Sequence, residues 1–160
     1  MPLAVLMGTA GACALVAGVL GYFLAQSGAV FLVEPLASRV PADRHVPFLA
    51  DLWAAADAVG LPLETAISEY APGQMELTLK YRADPLRVAD DVVLYKRLVK
   101  QVARRHDMLA TFMAKPFADG AGNGLHLHVS INDAAGANIF ASPHGSPNAP
   151  LLHAIGGLKA

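Results

Sequence analysis

Gly122-Asn-Gly-Leu-His-Leu-His-Val-Ser-Ile131 is the stretch whose reading decides the fold. Leu125, Leu127, Val129 and Ile131 alternate with His126, His128 and Ser130, the period of a strand with one apolar and one polar face. That pattern predicts both imidazoles on one side of a sheet, about 7 Å apart along the chain. The Gly-Asn-Gly turn ahead of the strand lets other groups come close to its backbone. Two histidines sharing a face behind such a turn suit a metal ion or a phosphate; a solvated His-x-His on an exposed face is the alternative.

Upstream, residues 65–70 and 74–80 are strand-like runs on either side of Ala71-Pro-Gly73, which reads as a hairpin turn. In the second run Met75, Leu77 and Leu79 alternate with Glu76, Thr78 and Lys80, so Glu76 belongs to the polar face. Glu69 stands just before the turn. Two carboxylates seven residues apart across a tight turn can converge on one point, as hard cations such as Mg²⁺ or Mn²⁺ require. Two ordinary solvated acids beside a turn are the other reading.

Residues 84–107 give the clearest helical signal. Asp84 suits the cap, Pro85 suits the first turn, and Val88, Val92, Tyr95, Val99 and Val102 line one side. Lys96, Arg97, Lys100, Arg104 and Arg105 read as its solvated face, biased toward the C-terminal end. Residues 48–59 predict a second amphipathic helix with Trp53 in the core, stopped by Gly60-Leu-Pro62. Residues 108–113 read as a buried strand and 118–124 as a glycine-containing loop. A turn over 133–136, a returning strand over 137–140, a loop over 142–150 and a helix from 151 to 158 complete the pattern.

The charge-free stretch from Met1 to Val33 exceeds the roughly 20 residues a membrane helix needs. It also contains five glycines and lacks a basic leader region, so buried strands and a helix of an α/β core are the favoured reading and a membrane helix the alternative. Residues 35–47, with three prolines, read as a linker. Twelve Lys and Arg against thirteen Asp and Glu give a net charge of -1, which points away from nucleic acid. The single cysteine, Cys13, excludes an intramolecular disulfide and agrees with a reducing, cytoplasmic compartment.

Three motifs in order, Glu69-Tyr-Ala-Pro-Gly-Gln-Met-Glu76, Thr111-Phe-Met-Ala-Lys-Pro-Phe117 and Gly122-Asn-Gly-Leu-His-Leu-His-Val-Ser130, resemble the catalytic domain of the glutamine synthetase family. The wording of the first looks closest to the γ-glutamyl-amine (polyamine) ligases, and Asn138-Ile-Phe140 fits the same pattern. The resemblance covers roughly residues 45–160. It implies an α+β (α/β) fold in which antiparallel strands form part of an open barrel with flanking helices. It also implies ATP-dependent activation of glutamate as an acyl phosphate, which ammonia or an amine then displaces, with two Mg²⁺ or Mn²⁺ ions assisting. By the same resemblance Glu69 and Glu76 match carboxylates of the first metal site, and His126 matches the histidine of the second. His128 lies on the nucleotide-phosphate side, and Gly122 meets the glutamate substrate through its backbone. No catalytic acid or base is assigned.

The departures shape the expectation. Ala121 stands where ammonia-using members carry an asparagine, and Val19 and Gly21 stand where the family supplies two metal-binding glutamates. Phosphate-binding arginines, a further metal-binding glutamate and a small N-terminal β-grasp domain have no counterpart in the 160 residues. The division expected is an apolar segment over 1–40, either a degenerate strand region or a membrane helix, and a partial catalytic domain over 41–160. The functional expectation is an incomplete or impaired ligase, homo-oligomeric rings being the family habit. A non-catalytic relative that binds metal or nucleotide, or joins an intact paralogue, is one rival. A soluble domain anchored through residues 3–33 is the other.

Overall fold

The Pro-Gly turn and the long amphipathic helix set the frame. The structure, a computed structural model, describes residues 19–33, 45–143 and 145–160. The elements run β1 (Val19–Val33), α1 (His45–Ala58), β2 (Leu63–Ser68), β3 (Gln74–Arg82), α2 (Pro85–Arg105), β4 (Leu109–Thr111), β5 (Leu125–Asp133) and α3 (Ala149–Lys159). Two compact units emerge. Among the described residues, one comprises 25–33, 45–81 and 86–127; the other comprises 19–24, 82–85, 128–143 and 145–160.

The strands form one open sheet in the order β2-β3-β1-β4, with β5 also pairing β1. β2 and β3 are antiparallel, with Ile67 opposite Glu76 and Ser68 opposite Met75. β1 and β4 are antiparallel too, through Phe31 opposite Thr111 and Leu32 opposite Ala110. This is the mixed helix and antiparallel-sheet fold that the sequence motifs imply.

In the first unit one face of the sheet carries the core. Met75, Leu77 and Leu79 of β3 and Val30 and Leu32 of β1 cluster with Phe48 and Leu52 of α1 and Tyr95 and Val99 of α2. Each such side chain taken out of water contributes about 1.5–3 kcal/mol before entropy is counted. Trp53 is half-buried and packs on this cluster from its margin. Phe31, alternating to the other side of β1, meets the Phe117 ring edge-on at 5.3 Å.

Both helices of this unit end in the same way. After α1, Leu61 N–H donates to the Ala56 carbonyl (2.9 Å) and Gly60 N–H to that of Asp57 (3.1 Å), with Gly60 at φ +67°. After α2, Met108 donates to Ala103 (2.9 Å) and Asp107 to Arg104 (3.3 Å), with Asp107 at φ +55°. These bonds satisfy carbonyls that the last helical turn leaves open.

Several expectations change. α1 starts at His45, so its first turn takes in the end of the expected linker. Pro47 is tolerated there because the first N–H groups of a helix have no partner within it. On α2 the buried position is Asp91, where Val92 was expected; Asp91 faces Arg87 at 3.1 Å. The strand over 108–113 shortens to Leu109–Thr111 at the sheet edge, and Leu109 is exposed. The apolar face of β5 is mostly uncovered among the described residues: Leu125, Leu127 and Val129 are exposed and only Ile131 is buried.

In the second unit the returning strand over 137–140 is a single bridge, Asn132 opposite Asn138. Asp133 Oδ1 accepts the N–H groups of Ala135 and Ala137, and Asn138 Oδ1 accepts that of Phe140. Short polar side chains have taken donors that a longer ladder would use. α3 begins two residues before the expected helix because Asn148 caps it, accepting from Leu151 N–H at 3.1 Å.

The apolar N-terminal run divides. Residues 19–33 are a strand, while 1–18, and most of the linker at 34–44, lie outside the described residues. Among the described residues no helix is long and apolar enough to cross a membrane.

Candidate functional site

The hairpin turn is built by four residues. Ala71 carbonyl accepts from Gln74 N–H at 2.9 Å, with Pro72 second and Gly73 third at φ +75°. Proline second and a positive-φ glycine third are the marks of a type II turn. Glu69 N–H donates to the Gln74 carbonyl at 2.9 Å, which extends the ladder one pair beyond β2. Glu69 and Glu76 therefore leave opposite limbs of one hairpin. The Glu69 carboxylate folds back on its own turn, accepting Tyr70 N–H at 3.1 Å.

Glu76 is half-buried and alternates away from Met75 and Leu77. Its charge is felt by Tyr95, which is 1% exposed. Burial first, and the Glu76 carboxylate second, hold the Tyr95 hydroxyl protonated well above the usual phenol range. The Tyr95 ring also stands edge-on to Phe112 at 5.6 Å. Lys96 and Lys100, assigned by sequence to a solvated face, place their ammonium groups 5.8 and 5.9 Å from the centre of the Phe112 ring.

Gln74 is the residue that sequence reasoning passed over. It is 2% exposed, and its carboxamide is fully engaged. Oε1 accepts Ala71 N–H at 3.2 Å; Nε2 donates to the Gly122 carbonyl at 2.9 Å and to Asn123 Oδ1 at 3.0 Å. Asn123 in turn donates through Nδ2 to the carbonyls of Met113 (2.9 Å) and Thr111 (3.4 Å), and its N–H donates to Ala114 (2.8 Å). The three sequence motifs thus meet in one hydrogen-bonded set. The middle motif contributes carbonyl oxygens, which no side-chain pattern could reveal. The one available signal was Gln74 itself, an amide flanked by Gly73 and Met75.

The loop before β5 is held from within. Lys115 Nζ donates to the Gly120 carbonyl, and Gly120 N–H to that of Phe117. Gly122 has no room for a side chain, since a Cβ there would lie 2.9 Å from the Ala114 carbonyl oxygen. At Gly124 a Cβ would lie 3.6 Å from His126 Nε2, so that imidazole runs back alongside the glycine. His126 and His128 are both exposed, two residues apart on β5, as the alternation predicts.

Carboxylates and an imidazole are chemically suited to Mg²⁺ or Mn²⁺. The geometry is another matter: among the described residues no three His, Cys, Asp or Glu side chains gather closely enough to hold a metal ion. Glu69 and Glu76, matched by the resemblance to the first metal site, leave one hairpin, and His126, matched to the second, lies on β5. Val19 and Gly21, expected at the positions of two metal-binding glutamates, fall on β1.

A profile of the glutamine synthetase catalytic domain matches residues 24–160. The chain belongs to the glutamine synthetase catalytic-domain family. The chain is 46% identical over 84 residues to a glutamate–isopropylamine ligase of a Pseudomonas species, covering 52% of this chain and 18% of that protein. It is 40% identical over 92 residues to the γ-glutamylputrescine synthetase of Escherichia coli K12, covering 58% and 19%. A glutamine synthetase of Thermus thermophilus matches at 38% over 120 residues, or 74% and 26%. The matched part of the chain therefore spans about a fifth to a quarter of the length of these relatives. Among solved structures, an ADP complex of GmaS aligns with a TM-score of 0.68 at 33% identity, over 81% of this chain and 34% of that one. A glutamine synthase homologue aligns with a TM-score of 0.70 at 25% identity, over 81% and 32%.

Proposed function

We propose that this chain carries the central part of an ATP-dependent ligase site joining the glutamate γ-carboxylate to an amine, and that alone it is an incomplete catalyst. The single observation behind this reading is the hydrogen-bonded set in which Gln74 ties the Glu69–Glu76 hairpin to the Gly122–Asn123 loop leading into His126. Relatives named for isopropylamine and putrescine favour an alkylamine over ammonia as the acceptor. Ala121, standing where ammonia-using members are expected to carry an asparagine, fits the same preference.

In the reaction proposed, the γ-carboxylate attacks the terminal phosphate of ATP and ADP leaves. The amine then displaces phosphate to give the γ-glutamyl amide. Gly122 offers the backbone of a tightly fixed loop to glutamate, and His128 stands on the phosphate side. Glu69, Glu76 and His126 are the donors proposed for Mg²⁺ or Mn²⁺.

The test is phosphate release by the chain with ATP, glutamate and a panel of ammonia, isopropylamine and putrescine, beside calorimetric Mn²⁺ titration. Expected are no turnover by the chain alone and Mn²⁺ binding no tighter than about 1 mM, the weak end for oxygen-ligand cation sites. Micromolar binding lost in Glu76→Ala and His126→Ala would overturn the incompleteness. ATP hydrolysis indifferent to both glutamate and amine would overturn the ligase reading.

A further inference from the structure

A side chain that is 2% exposed and spends every polar atom on two segments 48 residues apart in sequence is a joint between them. Gln74 occupies that place. Its backbone is bonded to Glu69, it stands two residues before Glu76, and its amide nitrogen holds Gly122 and Asn123, which lead into His126. The orientation of the amide is determined by its partners. Oε1 faces an N–H and Nε2 faces two oxygens, so a flipped amide would set oxygen against oxygen at the loop and nitrogen against N–H at the turn.

Asn123 relays the constraint. With its Oδ1 taken by Gln74 and its Nδ2 given to Met113 and Thr111, it too has one orientation. Gly122 is then pinned on two sides, its carbonyl by Gln74 and its Cα by the Ala114 carbonyl. A satisfied amide pair of this kind, with Gln74 buried and Asn123 half-buried, specifies a single local arrangement, since a bond broken at Gln74 leaves a desolvated polar atom costing about 1–3 kcal/mol.

We propose that Gln74 is a positioning residue: acting through Gly122 and Asn123, its carboxamide sets the path of the chain into His126 relative to the hairpin that bears Glu69 and Glu76. The coupling stands on the hydrogen-bond geometry. Its use in ligation rests on the function proposed above.

The test is NMR of the full chain in Gln74→Met, Gln74→Glu and Asn123→Ala, without added metal or nucleotide. In Gln74→Met, amide exchange at Ala71 and Asn123 accelerates at least tenfold and the Gly122 and His126 resonances move, while the α2 amides keep their protection. Gln74→Glu supplies the readout that a packing role alone would not move. Its protonated carboxyl can still donate to the loop, whereas its carboxylate sets negative oxygen against two oxygens. Gly122 and Asn123 resonances therefore acquire a pH dependence beyond that of wild type, native-like at the acid end. Should Gln74→Met lose the α2 signals, Asn123→Ala decides, because it leaves the Gln74–Ala71 bond in place. Unmoved Gly122 and His126 resonances in that variant overturn the proposal, as does a Gln74→Glu loop whose pH dependence does not exceed that of wild type. Failure of the ligase assay bears on the ligase reading and leaves these outcomes as they are.

Discussion

The Cα of Gly122 faces the carbonyl oxygen of Ala114 so closely that a Cβ would stand 2.9 Å from it. The opposing atom is backbone, already accepting from Asn123 N–H at 2.8 Å, and it cannot swing aside as a side-chain end could. Gly122→Ala is expected to cost about 1–3 kcal/mol, the usual range for overpacking. Urea denaturation would measure it. Gly124→Ala is the control, because its Cβ would meet the His126 ring at 3.6 Å, an ordinary contact. It should cost less than half as much.

Gly60 and Asp107 close their helices with the same pair of hydrogen bonds, both at positive φ. Glycine adopts that conformation freely, whereas a residue with a Cβ is strained by about 1–2 kcal/mol, less for aspartate. Asp107→Gly is therefore expected to stabilise the chain by about 0.5–1 kcal/mol, with the extra freedom of unfolded glycine offsetting part of the gain. Gly60→Ala should destabilise by about 1 kcal/mol. Opposite signs in matched denaturation curves would support the shared cap. Two losses would mean that the Asp107 side chain matters more than its φ.

What could be read from sequence followed the range of the interaction. The Pro72-Gly73 turn, the Asp84-Pro85 helix start and the alternation around Glu76 are local patterns, and each stands where its pattern put it. The Gln74–Gly122 bond spans 48 residues and ends on a carbonyl, which every residue type carries, so no side-chain spacing marks it. The strand expected at 137–140 failed for a local reason, because Asp133 and Asn138 satisfy nearby N–H groups with their own oxygens. Periodicity shows which face Glu76 and His126 take, whereas the distance between their two strands is set by packing that no local spacing records.

Asn148 shows how one side chain can start an element. Its Oδ1 accepts Leu151 N–H at 3.1 Å, and its Nδ2 donates to the carbonyls of Ile139 (2.8 Å) and Ala141 (3.2 Å). No residue of α3 is buried, so little packing stands behind the cap. Asn148→Ala removes all three bonds and should cost the helix about 1–2 kcal/mol. The expected signature is local: amide protection over the first turn of α3 falls at least fivefold, with α2 unchanged. Asn148→Asp keeps the cap acceptor and should retain most of that protection.

Tyr95 gives the chain a stability limit on the alkaline side. Its hydroxyl is raised above the ordinary phenol value by burial and, second, by the Glu76 charge. In the unfolded chain that phenol ionises near pH 10, as model phenols do. Because the folded value is the higher one, the stabilisation from neutral Tyr95 is complete below about pH 10. Above that point the unfolded state loses the proton first, and stability falls by up to about 1.4 kcal/mol per pH unit until the folded value is reached. The urea midpoint should therefore drop between about pH 10 and 12, and Tyr95→Phe should flatten that drop. Glu76→Gln removes the smaller cause, so it should lower the Tyr95 transition modestly in an absorbance titration. A wild-type midpoint that falls no faster than that of Tyr95→Phe would show that the Tyr95 hydroxyl reaches water more readily than its 1% exposure indicates.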